Sequence, residues 1–553
     1  MKKTFIVFLA FATILILFAA CGSNGANTSD GPSAPSQSAP ATPTPTPSTP
    51  AQETPTAPSE PVGPNGQAYG GSVRIISDSD NTIPFGTTWV TATINPIMIV
   101  PFAETICNER TSGEILPGLA ESWEVDVEKG EILMNIRQGV TFHDGSALNA
   151  EVVAWYFKLA RESGFLNPGI KDVVAISDYQ VIVQLNGYLN NALNILASHA
   201  FSLCSMENFE KNGEAYAGEN PVGTGPFKFS NKKAGISITY DRYDNYWQEG
   251  KPYLDSIEYV FITDIMTQNA AMMTKTSDAA DVIGLTSAEQ IATLREDPDL
   301  DVLLLPIGPT ILMPSGINPD SPWAKREVRQ ALSWAIDREG LCDARGFGIF
   351  TPATQFVGEG YLGRLPDDEA RDYLGYDPVK AKELLAAAGY PNGFTTELIG
   401  TTSMDRDATV ALQSMMENVG ITTNISFPEA GAVTNLTQAG WEGIVTGMAR
   451  SQASITTLFR RFIDPGFTYN VSIFRPDTDE FRDLYALSRS TPNMEDLIMR
   501  DLSRVIMDDM IVIPVYDTFE SYVVRKGIHD SGFTEYGATT IYLPQDIWRS
   551  SDK

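Results

Sequence analysis

From Gly22 to Gly66 the chain is dominated by Pro, Thr, Ser, Ala and Gly, and residues 41–50 read ATPTPTPSTP. This stretch constrains the fold more than any other. It offers too few large apolar side chains to offset the entropy of ordering a chain, so it is expected to stay disordered. Its prolines favour extended polyproline conformations at about 3.1 Å per residue, which gives a tether reaching on the order of 100 Å. What remains to fold is 67–553, long enough for two or three domains.

The residues before the tether say where that part works. Lys2 and Lys3 are followed by an apolar run from Phe5 to Ala20 and then by Cys21-Gly22. A positive start, a short apolar run and small residues before a cut site form an export signal. The run is short for a membrane span, which needs roughly 20 apolar residues. Phe18-Ala19-Ala20-Cys21 resembles a bacterial lipobox, with Phe18 where such signals usually carry Leu, Val or Ile. The resemblance implies a signal peptide over 1–20 and a lipid on Cys21. It places the protein outside the cytoplasm, tethered to a bacterial cell membrane over 21–66.

Composition excludes several partners. The formal charge is −30, and loss of Lys2 and Lys3 with the signal makes it −32. Such a surface repels phosphate backbones and anionic headgroups, so nucleic acid is not an expected partner. Beyond Cys21 there are Cys107, Cys204 and Cys342, an odd, widely spaced set. It forms neither a disulfide framework nor a zinc ribbon, and a single disulfide among them stays open.

Strands and helices are mixed throughout. Short β-branched or aromatic runs predict strands at Ser72–Ser77, Ile132–Arg137, Tyr179–Leu185, Ile236–Tyr240, Ile257–Thr263, Asp301–Leu305, Ile444–Met448 and Ile511–Tyr516. Asn149 is a helix cap ahead of Val152, Val153, Tyr156, Phe157 and Ala160. Val328, Ala331, Leu332, Ala335 and Ile336 form a second stripe at helical spacing. Asp377-Pro378 opens a helix that Gly389 stops, and Thr491-Pro492 opens a last one through Leu502, Val505 and Ile506.

The three histidines, His143, His199 and His529, are scattered, and no HExxH, GxSxG, P-loop or CxxC is present. His143-Asp144-Gly145 reads as a turn after a strand. The chain is therefore read as a binding protein without catalytic residues, metal or cofactor. An exported hydrolase is the competing class.

Several segments taken together resemble the family 5 extracellular solute-binding proteins, which serve importers of peptides, nickel and some oligosaccharides. They are Pro117-Gly-Leu-Ala-Glu-Ser-Trp123, Ile136-Arg-Gln-Gly-Val-Thr-Phe-His-Asp-Gly145, Pro221-Val-Gly-Thr-Gly-Pro-Phe-Lys228 and Asp244-Asn-Tyr-Trp247 with Lys251-Pro252. Val328-Arg-Gln-Ala-Leu-Ser-Trp-Ala-Ile-Asp-Arg338, the run from Asp377 to Gly389 and the late strand from Asp508 to Pro514 complete the set, in family order. Each also has a plain reading. Gly223-Thr224-Gly225-Pro226 is a tight turn bringing backbones close, and Trp123, Trp247 and Trp334 are core aromatics.

The resemblance implies an α/β, two-lobed fold of the periplasmic-binding-protein type II (cluster C) kind, with an extra subdomain in lobe one. Lobe one would span 67–312 and 515–553, and lobe two 313–514. It also implies a monomer that closes on a small oligomeric ligand and delivers it to ABC permease subunits. Peptide is the family default and oligosaccharide the alternative; a sensor without transport is a further one. Peptide receptors of this family hold the ligand ammonium with an aspartate after a lobe-two strand. The matching stretch, Gly447 to Ser454, has no acidic residue, and Arg450 is its only charge. Arg450 is open to pairing with a carboxylate or phosphate, or to facing solvent. Arg406 lies near the family's carboxylate-binding arginine. Asn81, Thr82, Trp89, Tyr361 and Met448 are the other positional candidates for the ligand site, Trp89 as a stacking ring or a core residue.

Overall fold

The computed structural model describes residues 62–550, apart from 79–84, 91–95, 165, 168, 277–278, 286, 402, 451–453, 465–468, 470, 475, 477, 492–495 and 536–541. The signal, Cys21, most of the tether, Asn81 and Thr82 lie outside the described residues.

Two long strands organise the molecule. Leu300–Pro314 and Ile513–Arg525 pair antiparallel from Leu300 opposite Arg525 to Leu312 opposite Ile513. One end of this ribbon belongs to a lobe-one sheet. There Ser72–Ser77 lies parallel to Ser256–Phe261 and Val282–Leu285, with Ser237–Arg242 and Phe227–Lys233 added antiparallel. The other end carries a lobe-two sheet in which Phe394–Ile399 lies parallel to Ile421–Ser426 and Ile444–Met448. Among the described residues the two sheets are joined through these two strands. Their register shifts between Pro306 and Gly308 and between Thr310 and Ile311. Proline has no N–H for a ladder, so such irregularities accommodate Pro306 and Pro309.

A subdomain is inserted into lobe one. Ala120–Asp126, Glu131–Ile136, Gln180–Leu185 and Ile170–Ser177 form a four-stranded antiparallel sheet, covered by the helix Ala150–Glu162. That helix starts where Asn149 Oδ1 accepts from the Val152 N–H at 3.0 Å. Its buried residues include Val152, Val153, Tyr156, Phe157 and Ala160, the predicted stripe. Helix Pro378–Ala387 is capped in the same way by Asp377. Helix Arg326–Ala335 buries Val328, Ala331, Leu332 and Ala335 in the lobe-two core. The last long helix is described from Asp496 to Asp509.

Buried polar anchors hold these layers. Asp281 accepts from the Arg74 N–H at 2.9 Å and also pairs with Arg549 and Arg525. It thereby ties the first strand, the second crossover strand and the C-terminal strand together. Arg525 further donates to the carbonyls of Met272 and Ala280. Gly223 and Gly225 sit where a Cβ would lie 2.0 and 2.5 Å from the carbonyl oxygens of Phe102 and Pro101. The expected close approach of backbones is therefore real. Cys107, Cys204 and Cys342 are all buried and unbridged, and burial pushes the Cys342 thiol up to about 12.

Candidate functional site

The lobes meet through polar groups. On the subdomain, the Asn190 N–H donates to the Arg489 carbonyl at 3.3 Å, and Asn190 Nδ2 to that of Ser488 at 2.8 Å. Asn191 Nδ2 donates to Thr457 Oγ1 at 3.1 Å. The subdomain and lobe two are thus in direct contact through these hydrogen bonds.

The lobe-two wall grows from the buried strand Ile444–Met448. Just after it, the Ala449 N–H donates to the Pro309 carbonyl at 2.9 Å, which fixes the chain against the first crossover strand. Arg450 therefore projects beside the second crossover strand, where its Nη2 lies 2.6 Å from Glu520 Oε2. The Tyr522 hydroxyl donates to the other carboxylate oxygen at 3.2 Å. Tyr361, half-buried against the lobe-two core, is within electrostatic reach of both Arg450 and Glu109. Its phenol is pushed up by burial and by Glu109, and Arg450 opposes them. Glu109 ends the lobe-one strand Cys107–Glu109 and accepts from Asn194 Nδ2 at 2.9 Å. Tyr361 thus lies within electrostatic reach of Arg450, which is paired with Glu520, and of Glu109 on lobe one.

The helix Ile455–Ile463 completes that wall. Ser454 caps it, and the Ile455 N–H donates to the Leu362 carbonyl at 3.0 Å, one residue from Tyr361. Thr457, which meets Asn191, and Arg461 are four residues apart and share a helix face.

Of the expected site residues, Tyr361 and Arg450 come together, and Arg450 is ion-paired where solvent was one alternative. Met448 is half-buried, opposite Thr310 of the crossover ribbon. Trp89 is a core residue: it is 3% exposed and meets Trp155, Tyr156 and Phe209 edge-on within 5.3–5.8 Å. No ring face is open for stacking there. Arg406 is exposed at the start of helix Arg406–Asn418, its guanidinium 4.1 Å from the Phe427 ring centre. Arg345 holds the adjacent Asp405. His143 forms the expected turn: the Gly145 N–H donates to the Phe142 carbonyl at 2.9 Å. Its Nε2 meets the Gly225 carbonyl at 2.9 Å, and burial lowers the ring to about 4, so it stays neutral.

Sequence reasoning missed Glu109, Glu520, Asn191, Thr457 and Arg461. Their signal is positional only, because each looks like an ordinary surface residue until the two lobes are brought together. It also missed Glu104. That buried carboxylate accepts from Thr224 Oγ1 and Tyr246 Oη at 2.8 Å and from Trp247 Nε1 at 3.1 Å. Glu104 joins the Gly-Thr-Gly-Pro turn to the Asn-Tyr-Trp run, and burial raises it to about 7.

Two α/β lobes hinged on two strands, with charged and amide groups facing across the cleft, define a two-lobed binding protein. The chain matches the bacterial extracellular solute-binding proteins, family 5 (middle region), over residues 114–462, and it belongs to that family. The glutathione-binding protein GsiB of Escherichia coli O1:K1 is 30% identical over 323 residues, which are 57% of this chain and 61% of that protein. The chain thus spans about three-fifths of the length of the curated relatives it matches. A dipeptide-binding protein of Pseudoalteromonas sp. SM9913, solved with Met-Leu, aligns with a TM-score of 0.73 at 19% identity, over 87% of this chain and all of the other. NikA of Brucella suis, solved with Fe(III)-EDTA, gives 0.75 at 16%, over 87% and 100%. The fold is the two-lobed type II periplasmic-binding-protein fold. No described helix is long and apolar enough to cross a membrane.

Proposed function

We propose that this chain is the extracytoplasmic substrate-binding lipoprotein of an ABC importer. It captures peptides or similar oligomeric solutes by hinge closure and hands them to a membrane permease. The observation that carries the reading is the set of cross-lobe polar contacts on a two-strand hinge. Arg450 of lobe two reaches Glu520 on the crossover strand, while Asn190 and Asn191 of the subdomain reach lobe two opposite. Only a ligand that touches both walls favours the closed state over the open one. The glutathione-binding and dipeptide-binding relatives support a short peptide as that ligand. Burial of Trp89 removes the stacking ring that would have favoured an oligosaccharide.

The test is thermal unfolding of the full-length chain in mild detergent with panels of peptides, including glutathione, and of neutral oligosaccharides. A ligand at 100 times its Kd adds about 2.7 kcal/mol, a rise of a few degrees. Shifts with peptides alone support the reading, and shifts with oligosaccharides alone overturn it. The lipid is tested by mass spectrometry of the mature N-terminus: Cys21 is expected first and acylated, and Cys21→Ser is expected to abolish both.

A further inference from the structure

We infer that Asn190 and Asn191 are a clasp by which the inserted subdomain holds lobe two, a closing contact that the protein makes by itself and not through the ligand. The inference rests on the solute-receptor reading and adds what sets the residence time of a captured solute.

Three observations carry it. First, the clasp grips a helix end that lobe two leaves short of donors. Helix Asp479–Ser490 ends at Thr491, whose N–H and hydroxyl both return to the Leu487 carbonyl, at 3.0 and 2.7 Å. The last carbonyls of a helix have no donor within it. A further turn would serve Ser488 from position 492, and Pro492 has no N–H. Asn190 supplies donors from the subdomain: its Nδ2 to the Ser488 carbonyl at 2.8 Å and its main-chain N–H to that of Arg489 at 3.3 Å. The same Nδ2 reaches the Thr491 carbonyl at 3.3 Å. The subdomain thus caps a lobe-two helix, and parting the lobes uncaps it.

Second, both sides of the contact are held in fixed frames. Thr457 and the capped helix end stand on different lobe-two helices, and Asp464 joins them. It accepts from Tyr485 Oη at 2.7 Å and pairs with Arg460 and Arg489. On the subdomain the helix Ala192–Leu196 follows the two asparagines directly, and Asn194 ties it to Glu109.

Third, the contact is balanced, so that it can be released. Asn191 is 3% exposed, and its Nδ2 donates to Thr457 Oγ1 at 3.1 Å. Among the described residues its Oδ1 has no hydrogen-bond partner. A buried acceptor without a donor weighs against the contact, whereas the bonds of Asn190 weigh for it. A contact that favours the closed state equally for every ligand prolongs occupancy and leaves the choice of ligand to the cleft.

The test compares the full-length chain in detergent with the double variant Asn190→Ala, Asn191→Ala and with Thr457→Val, which removes the lobe-two acceptor. Binding of tri-alanine, Ala-Glu-Ala and glutathione is followed by stopped-flow tryptophan fluorescence. Dissociation from the double variant is expected to be about ten-fold faster, by the same factor for each peptide, with association changed by less than about two-fold. Unchanged dissociation overturns the inference. So does a factor that differs widely from peptide to peptide, which marks the asparagines as ligand contacts.

A second measurement needs no ligand. The natural cysteines among the described residues are buried, so nitroxides attach at Lys171→Cys on the subdomain and Glu480→Cys on lobe two, both exposed positions. Pulsed electron paramagnetic resonance of the ligand-free chain is expected to show a short-distance population that the double variant and Thr457→Val both deplete. The same distribution in all three proteins overturns the clasp. If that population is depleted but no peptide binds, the clasp stands and the peptide reading fails. Should the double variant fail to fold, Thr457→Val supplies the comparison.

Discussion

Glu104 shows how one residue serves the fold in two ways. Three donors converge on its buried carboxylate. Glu104→Ala leaves Thr224, Tyr246 and Trp247 without an acceptor and is expected to cost about 3 kcal/mol, read from urea unfolding. Arg450 and Glu520 are each roughly a quarter to a third exposed, so their pair is screened. A double-mutant cycle with Arg450→Ala and Glu520→Ala is expected to give a coupling of about 1 kcal/mol or less.

At the scale of elements, the sequence revealed those with a strong apolar pattern. Ser72–Ser77 and Ile444–Met448 have the expected limits, and the Asn149 and Asp377 caps are where their side chains predict. Two of the missed strands are exposed ones, whereas Val282–Leu285 is buried but only four residues long. Ala120–Asp126 and Phe227–Lys233 each bury one residue fully, so alternation is faint. Both crossover strands were expected too short. Leu300–Pro314 runs on through Pro306, Gly308 and Pro309, which break the pattern, and Ile513–Arg525 continues through Asp517, Thr518 and Glu520 as it passes the cleft. Polar residues there serve the space between the lobes, so hydrophobic patterning cannot reveal the strand that carries them.

Asp517 gives the crossover ribbon a pH dependence. Burial raises its carboxyl to about 7, against a partial offset by Arg364. A raised carboxyl binds protons in the folded chain that the unfolded chain has released. Its contribution to stability is therefore complete below about pH 4 and is lost as the pH rises through about 7. Glu104 acts in the same direction. Asp517→Asn is expected to lose less stability than the wild type between pH 5 and 8, measured by urea unfolding at both. The Gly-Thr-Gly-Pro turn makes a second test at this scale. Gly223→Ala places a Cβ against the Phe102 carbonyl and is expected to cost about 2 kcal/mol or more.

For the whole molecule, the ordered motifs pointed to the family and its two-lobed fold, because they encode turns, caps and core contacts shared by the class. The ligand was not legible in the same way. The proposed cleft residues come from segments far apart in the chain, Glu109, Tyr361, Arg450 and Glu520 among them, and no local spacing links them. On the proposed reading, binding and closure are one event. Small-angle X-ray scattering of the full-length chain, in a contrast-matched detergent with and without a saturating stabilising peptide, tests it most directly. A smaller radius of gyration with peptide is the expected result. An unchanged radius while the peptide is demonstrably bound would contradict the hinge-closing receptor.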